Sequence, residues 1–180
     1  CVLIDRFVRV KTKQHYWFDQ DGDFAKAGVV RDEILAMLNA DHAKVQQWPT
    51  ALDASDYVLP DALLSDEVSL EDGCATLAYF TGLRMAQAVN DLCIQKTLNQ
   101  LQVLLVGGGW SHPMIKEVFE SNLVPGLRVG EQVVFDDPQA VEAQAFAYLA
   151  VRHTLGLPLS GPQTTGVVEP VSGGVSVVSA

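Results

Sequence analysis

Apolar residues recur at helical spacing over much of the chain and predict several helices. One face of a helix over about residues 2–10 carries Val2, Leu3, Phe7 and Val10. The apolar pattern over residues 24–40 predicts a second helix, with Asp23 as its expected N-cap. The apolar stripe of this second helix consists of Ala27, Val30, Ile34, Met37 and Leu38.

A third and longer helix is predicted from about Leu70 to Thr97. Ser69 and Asp72 come close to a capping box at its start. Small and apolar residues occur on most of its sides, and few charges interrupt them. A helix that is apolar nearly all round packs on several sides inside a domain. We therefore expect this helix to be the centre of the fold.

The central feature of the sequence follows that helix. The pattern predicts a buried strand over Gln102–Val106, then three consecutive glycines, Gly107, Gly108 and Gly109. Pro113 suits the first position of the next helix, with Ser111 or His112 as its N-cap. Glycines before a helix leave backbone amides open to a phosphate. Alternatively, the three glycines form only a turn whose backbone needs positive φ.

The remaining elements are shorter. Residues 127–129 and 133–135 predict short strands, and Asp136-Asp137-Pro138 is expected to cap a last helix over about residues 139–155. Residues 156–180 are rich in Gly, Pro, Ser and Thr, and composition leaves open whether they are ordered. The order of elements predicts an α/β fold in which helices pack on a small sheet.

Composition narrows the classes of partner. The chain has 180 residues, is 48% hydrophobic and carries a net charge of −10, so we expect a real core and no nucleic acid or anionic membrane as the main partner. No apolar run reaches the roughly 18 residues of a membrane span. An odd number of scattered cysteines, Cys1, Cys74 and Cys93, indicates buried free thiols and a cytoplasmic location.

Three aspartates are the only candidate for a metal site. Asp19, Asp21 and Asp23 have the alternate spacing that begins a calcium-binding EF-hand loop. The glycine of that loop is displaced to Gly22, and Val30 stands where the twelfth-position glutamate belongs. We therefore interpret the aspartates as a solvated turn and a helix cap, and we predict no metal-ligating residues in this chain.

Several segments, taken together, resemble the anhydro-N-acetylmuramic acid kinase family, and the first residue, Cys1, suggests a piece of a longer chain. The segments stand in the family's order over about residues 2–167. They are Leu3-Ile4-Asp5, Phe24-Ala25-Lys26-Ala27-Gly28, Ala75-Thr76-Leu77-Ala78, Leu104 to Gly109, Glu142 to Ala150, Gly156-Leu157-Pro158 and Thr165-Gly166.

The resemblance implies a fold and an activity. Residues 1–167 would be the C-terminal lobe of an actin-like ATPase, which has a ribonuclease H-like fold with a small mixed sheet, and 168–180 would be a tail. The family opens the anhydro ring of its sugar with water and phosphorylates O6 from ATP, with Mg²⁺. By resemblance, Gly107, Gly108 and Gly109 bind the nucleotide and Glu142 faces the substrate, while the general base is expected before residue 1.

By the same resemblance, the chain alone should be inactive, and relatives suggest a homodimer. Two departures from the family pattern leave alternatives open. The family's Lys-Ser-Thr-Gly-Arg-Glu-like segment is not recognisable within residues 45–60, and its Arg-Asn-Pro is replaced by Ser111-His112-Pro113. A non-catalytic pseudokinase is therefore one alternative. A Rossmann-like nucleotide site is another alternative, because the predicted strand ends in three glycines and Glu131, an acidic residue, follows about 22 residues later. Without the family context, Glu142 is simply a carboxylate favoured in the first turn of a helix.

Overall fold

A central helix organises the structure, as the sequence predicts. The computed structural model describes residues 1–42, 56–98, 101–129 and 140–177. Within these ranges the fold is mixed α/β and mostly helical. The central helix packs against four others, so it is buried on several sides. The helices are α1 (Val2–Lys11), α2 (Asp23–Ala27), α3 (Asp32–His42), α4 (Asp61–Leu64), α5 (Leu70–Lys96), α6 (Pro113–Ser121), α7 (Val141–Thr154) and α8 (Pro162–Thr165).

Local chemistry explains where α5 begins and how closely its neighbours approach. The Ser69 hydroxyl accepts a hydrogen bond from the Asp72 amide at 2.9 Å, which satisfies one of the unpaired amides of the first turn. Gly73 lies against the ring of Phe7 in α1, and Gly82 lies against the backbone of α6. A side chain at either glycine would separate α5 from its partner. The predicted start, length and multi-sided burial of this helix are confirmed.

The single helix predicted over residues 24–40 is wrong, because the chain breaks it into α2 and α3. A Cβ at Gly28 would lie 2.0 Å from the carbonyl oxygen of Glu71, so the backbone at Gly28 packs directly against the backbone of α5. The Val29 amide donates to Asp72 Oδ1 at 2.9 Å, and the Arg31 amide donates to Thr76 Oγ1 at 2.9 Å. Hydrogen bonds to α5 thus replace those of a continuous helix.

The glycine loop follows a short strand. β1 (Leu101–Val103) pairs in parallel with β2 (Leu127–Val129), and α6 lies between them in the chain. The strand therefore ends before the predicted Val106, and the expectation of a buried strand is wrong: Leu104 is 45% and Val106 37% exposed. In the described residues β1 has one neighbouring strand, which leaves its side chains only partly covered.

The C-terminal part is ordered around α7 and a short tail. α7 carries no fully buried residue, and Phe146, Tyr148 and Val151 are all more than half exposed. Beyond it, Ser160 and Val171 form an antiparallel bridge, so part of the Gly/Pro-rich segment has a defined backbone path. The predicted strand 133–135 and the Asp136-Asp137-Pro138 cap lie outside the described residues.

The cysteines differ from one another. Cys74 and Cys93 are buried free thiols, as predicted, and burial raises the pKa of Cys74 well above its usual range. Cys1 is exposed, so the prediction of burial is wrong for this residue. It precedes the first helical residue of α1 and lies beside the glycine loop, where a Cβ on Gly109 would be 3.4 Å from its sulfur.

Candidate functional site

The glycine loop forms one wall of a cleft. The cleft has a volume of about 320 Å³ and is lined by residues within three segments, 1–5, 18–22 and 108–112. These segments are the start of α1, the turn before α2 and the turn before α6. Pockets of this size and larger are typical of small-molecule sites. The fold thus places two regions that the sequence singled out, the glycines and the aspartates, on the same cleft.

Gly108 and Gly109 of the glycine loop line the cleft, and the backbone there suits an anion. Gly107 has φ of +92°, and Gly108 begins a 3-10 turn that ends at Ser111. A Cβ at Gly107 or Gly108 would meet nothing within 4 Å. In the described part of the chain, no backbone hydrogen bond uses the amides of Gly108 and Gly109. Two adjacent unpaired amides at the start of a helical turn attract an anion.

Carboxylates line the cleft together with the glycines. Asp5, in the first turn of α1, and Asp21, with φ of +53°, both line it. Burial raises the pKa of Asp5, and this effect outweighs the opposing effect of the nearby Arg9 guanidinium. A cation beside Asp5 would relieve the cost of its charge. No group of three or more His, Cys, Asp or Glu in the described ranges is arranged to hold a metal ion.

Asp19 and His112 join two walls of the cleft. His112 Nε2 and Asp19 Oδ2 are 3.3 Å apart, and both residues are 7% exposed. The Asp19 carboxylate also accepts hydrogen bonds from the amides of Phe24 at 2.8 Å and Ala25 at 3.1 Å. Asp19 therefore caps α2. The prediction that Asp23 is the N-cap is wrong, because Gly22 is the N-cap residue of α2 and Asp23 is its first helical residue. The prediction that the aspartates are solvated is wrong for Asp19, because its carboxylate is buried.

The electrostatics of Asp19 lead to a prediction about pH. Burial raises its pKa, but the hydrogen bonds from His112, Phe24 and Ala25 outweigh burial and hold the pKa below its ordinary value. The carboxylate thus stabilises the fold above about pH 3.9, and this contribution is lost as pH falls through the lower, folded-state pKa. We expect the stability difference between the protein and Asp19→Asn, measured by urea unfolding, to shrink as pH falls from 6 toward about 3. A difference that stays constant would contradict this.

The other predicted site residues have different positions. Glu142 lies in the first turn of α7, is exposed, and is not among the residues that line the cleft. Its role in substrate binding stays a prediction. The Lys-Ser-Thr-Gly-Arg-Glu-like region falls mostly outside the described residues, and so does Glu131 of the Rossmann-like alternative.

Sequence reasoning missed three cleft residues. Asp5 belongs to one of the matching segments but has no predicted role, the sequence pattern places Asp19 in a solvated turn, and it predicts His112 only as a possible helix cap. His112 is indeed the N-cap residue of α6, although its side chain caps nothing. The pairing of Asp19 with His112 joins positions 93 residues apart, so no local pattern indicates it. Only the packing of α2 and α6 on α5 brings them together.

A second groove is larger but lies elsewhere. It has a volume of about 980 Å³ and runs between α1 and residues 57–64. Arg6, Arg9 and Lys13 contribute positive charge to its lining. It contains none of the site residues that the sequence predicted, and we therefore take the smaller glycine cleft as the candidate site. No helix in the described ranges is both long and apolar enough to cross a membrane.

Comparison with known proteins gives one consistent family. The profile described as anhydro-N-acetylmuramic acid kinase matches residues 1–179. A protein named anhydro-N-acetylmuramic acid kinase from Agrobacterium fabrum is 38% identical over 180 residues, which cover 98% of this chain and 45% of the relative. The proteins of that name from Zymomonas mobilis and Caulobacter vibrioides are 33% and 36% identical over 96% and 91% of this chain. The chain spans less than half the length of these three relatives.

Proposed function

The chain belongs to the anhydro-N-acetylmuramic acid kinase family, and on this basis we propose that the full-length protein is an ATP-dependent sugar kinase. Its reaction would open the anhydro ring of an amino sugar with water and transfer the γ-phosphoryl group of ATP to O6. The observation that carries this proposal is the glycine cleft, in which the amides of Gly108 and Gly109 make no backbone hydrogen bond within the described residues. Residues 1–167 would form the C-terminal lobe of an actin-like fold, residues 168–180 a tail, and the whole protein a cytoplasmic homodimer.

Within this proposal the glycine loop holds the nucleotide. The amides of Gly108 and Gly109 would donate to phosphate oxygens near the adenosine end. Gly107 and Gly108 would let the phosphates approach the backbone, since neither glycine has a neighbour where a side chain would extend. Cys1 and the partly buried Trp110 flank the loop.

The acidic side of the cleft fits a divalent cation. Carboxylates alone would repel a triphosphate, so a nucleotide beside Asp5 and Asp21 needs a counter-charge. Mg²⁺ is held by one or two carboxylates together with substrate phosphates and water, and it neutralises charge on the phosphates. Asp5 and Asp21 are the cleft residues that would hold it, and both offer the oxygen ligands that Mg²⁺ prefers.

A sugar-dependent assay tests the function. We expect the purified full-length protein, given ATP, Mg²⁺ and 1,6-anhydro-N-acetylmuramic acid, to form ADP and ring-opened sugar phosphate in equal amounts, measured by mass spectrometry. ATP binding without transfer to this or any other anhydrosugar would favour the pseudokinase alternative. A protein that binds neither ATP nor the sugar by calorimetry would rule out the proposal.

The role of Glu142 makes a separate prediction. Its exposed carboxylate in the first turn of α7 can accept hydrogen bonds from sugar hydroxyls. We expect Glu142→Gln to lower kcat/KM for the sugar about tenfold or more, because one charged hydrogen bond is lost, while the affinity for ATP is unchanged. Glu169→Gln, also an exposed carboxylate, is the matched control. Equal kinetics for the two variants would exclude Glu142 from the substrate site.

A further inference from the structure

The buried contact between Asp19 and His112 is the strongest feature of the cleft to which the family pattern gives no role. Both side chains are more than nine-tenths buried, with 0% of the Asp19 side chain and 8% of the His112 side chain exposed. They approach to 3.3 Å between His112 Nε2 and Asp19 Oδ2. The remaining ring nitrogen, His112 Nδ1, has no hydrogen-bond partner in the described residues. Asp19 is therefore the sole described partner of this imidazole.

Each member of the pair is fixed on its own side. Both carboxylate oxygens of Asp19 accept amide hydrogen bonds from the first turn of α2, so the carboxylate cannot turn without losing that cap. Gly22, at φ of +69°, leaves room for the imidazole, because a Cβ there would lie 3.0 Å from His112 Cε1. The turn over residues 19–22 is thus shaped around the histidine ring.

On the other side, His112 is tied directly to the glycine loop. Its amide donates to the carbonyl of Gly109 at 3.3 Å, and Pro113 at the start of α6 follows it without a break. Proline fixes φ and restricts the residue before it to extended conformations, which limits how His112 can move. The position of the imidazole therefore sets the position of the glycine loop with respect to α2.

We propose that Asp19 and His112 form a positioning pair that holds the glycine loop in the geometry that binds the nucleotide. His112 stands where the family pattern places the asparagine of Arg-Asn-Pro, so the pair is a feature of this chain and not of the pattern. Neither residue need touch the nucleotide. The pair acts by holding Gly108 and Gly109, which line the cleft, in place. The inference rests on the proposed function.

The test measures ATP affinity of the full-length protein by calorimetry in the presence of Mg²⁺. We expect His112→Ala to weaken ATP binding about tenfold, because the loop loses its anchor. His112→Gln should restore most of the affinity, since its side-chain amide nitrogen reaches about as far as Nε2 of the imidazole and can still donate to Asp19. Asp19→Asn should also weaken binding, and the double variant Asp19→Asn/His112→Ala should bind no worse than the weaker single variant.

A matched control separates positioning from general loss of stability. Asn90 makes a comparable link at the far end of α6, donating to the Asn122 carbonyl at 2.8 Å and accepting from the Val124 amide at 3.0 Å. Asn90→Ala should lower the midpoint of urea unfolding and leave ATP affinity unchanged. If the unsubstituted protein binds no ATP, the proposed function fails together with the pair. If it binds ATP and His112→Ala binds equally well, or if the two single effects add, the positioning role alone is overturned.

Discussion

Phe7→Ala is expected to lower the free energy of unfolding by about 3 to 5 kcal/mol, the usual cost of truncating a buried phenylalanine. Phe7 is 0% exposed and belongs to the main hydrophobic core. Its ring reaches the backbone of α5, where a Cβ on Gly73 would be 2.0 Å from Phe7 Cζ. No nearby backbone can collapse readily into the space left by the ring, because α5 is held by helices on several sides.

Urea unfolding of the full-length protein measures this effect. Val10→Ala on the same helix is the control, since Val10 is 56% exposed and its truncation should cost less than about 0.5 kcal/mol. Gly73→Ala should also destabilise, because its methyl group would overlap the ring. In the double variant Phe7→Ala/Gly73→Ala the methyl group fills part of the cavity, so the loss should be smaller than the sum of the two. A Phe7→Ala loss below about 1 kcal/mol would contradict the packing of α1 on α5.

Gly108→Ala is expected to weaken ATP binding by about tenfold to a hundredfold without unfolding the protein. Among the described residues, a Cβ at Gly108 meets no atom within 4 Å beyond its chain neighbours, and its φ is not in the left-handed region, so the fold accommodates it. The same methyl group would stand where the phosphates approach the backbone. Each tenfold loss of affinity corresponds to about 1.4 kcal/mol.

The control for Gly108→Ala is Gly161→Ala. Gly161 is also surrounded by open space and also lacks a positive φ, but it precedes α8 and lies outside the cleft lining. We expect Gly161→Ala to bind ATP like the unsubstituted protein. Calorimetry with both variants decides the question. Equal ATP affinity in the two variants would mean that the glycine loop does not contact the nucleotide.

Elements whose signals are local could be predicted from the sequence. α1 and α5 follow from their apolar spacing, α5 from Ser69 as well, and α6 from Pro113 at its first position. The glycine loop stands out because three consecutive glycines follow an apolar run. These features depend on neighbours within a few residues, which is the range over which propensity and capping act.

Features that depend on distant contacts could not be predicted. Residues 24–40 have a helical pattern throughout, yet the helix breaks at Gly28 because the backbone of Glu71 lies against it. In the sequence Asp19 resembles the other aspartates of the turn. Only the packing of α2 and α6 on α5 brings His112 next to it. The spacing of apolar residues indicates which face of a helix or strand is apolar, but it does not indicate which other element that face will pack against.

The central claim is that the cleft beside Gly107–Gly109 is the nucleotide site, and photo-cross-linking tests it most directly. The full-length protein is irradiated with an ATP analogue that carries an azide on the base, with and without excess ATP, and the labelled peptides are identified by mass spectrometry. We predict that ATP-protected label falls within residues 1–5, 18–22 or 107–112, which form the cleft and its glycine loop. ATP-protected label found only outside these segments would contradict the claim.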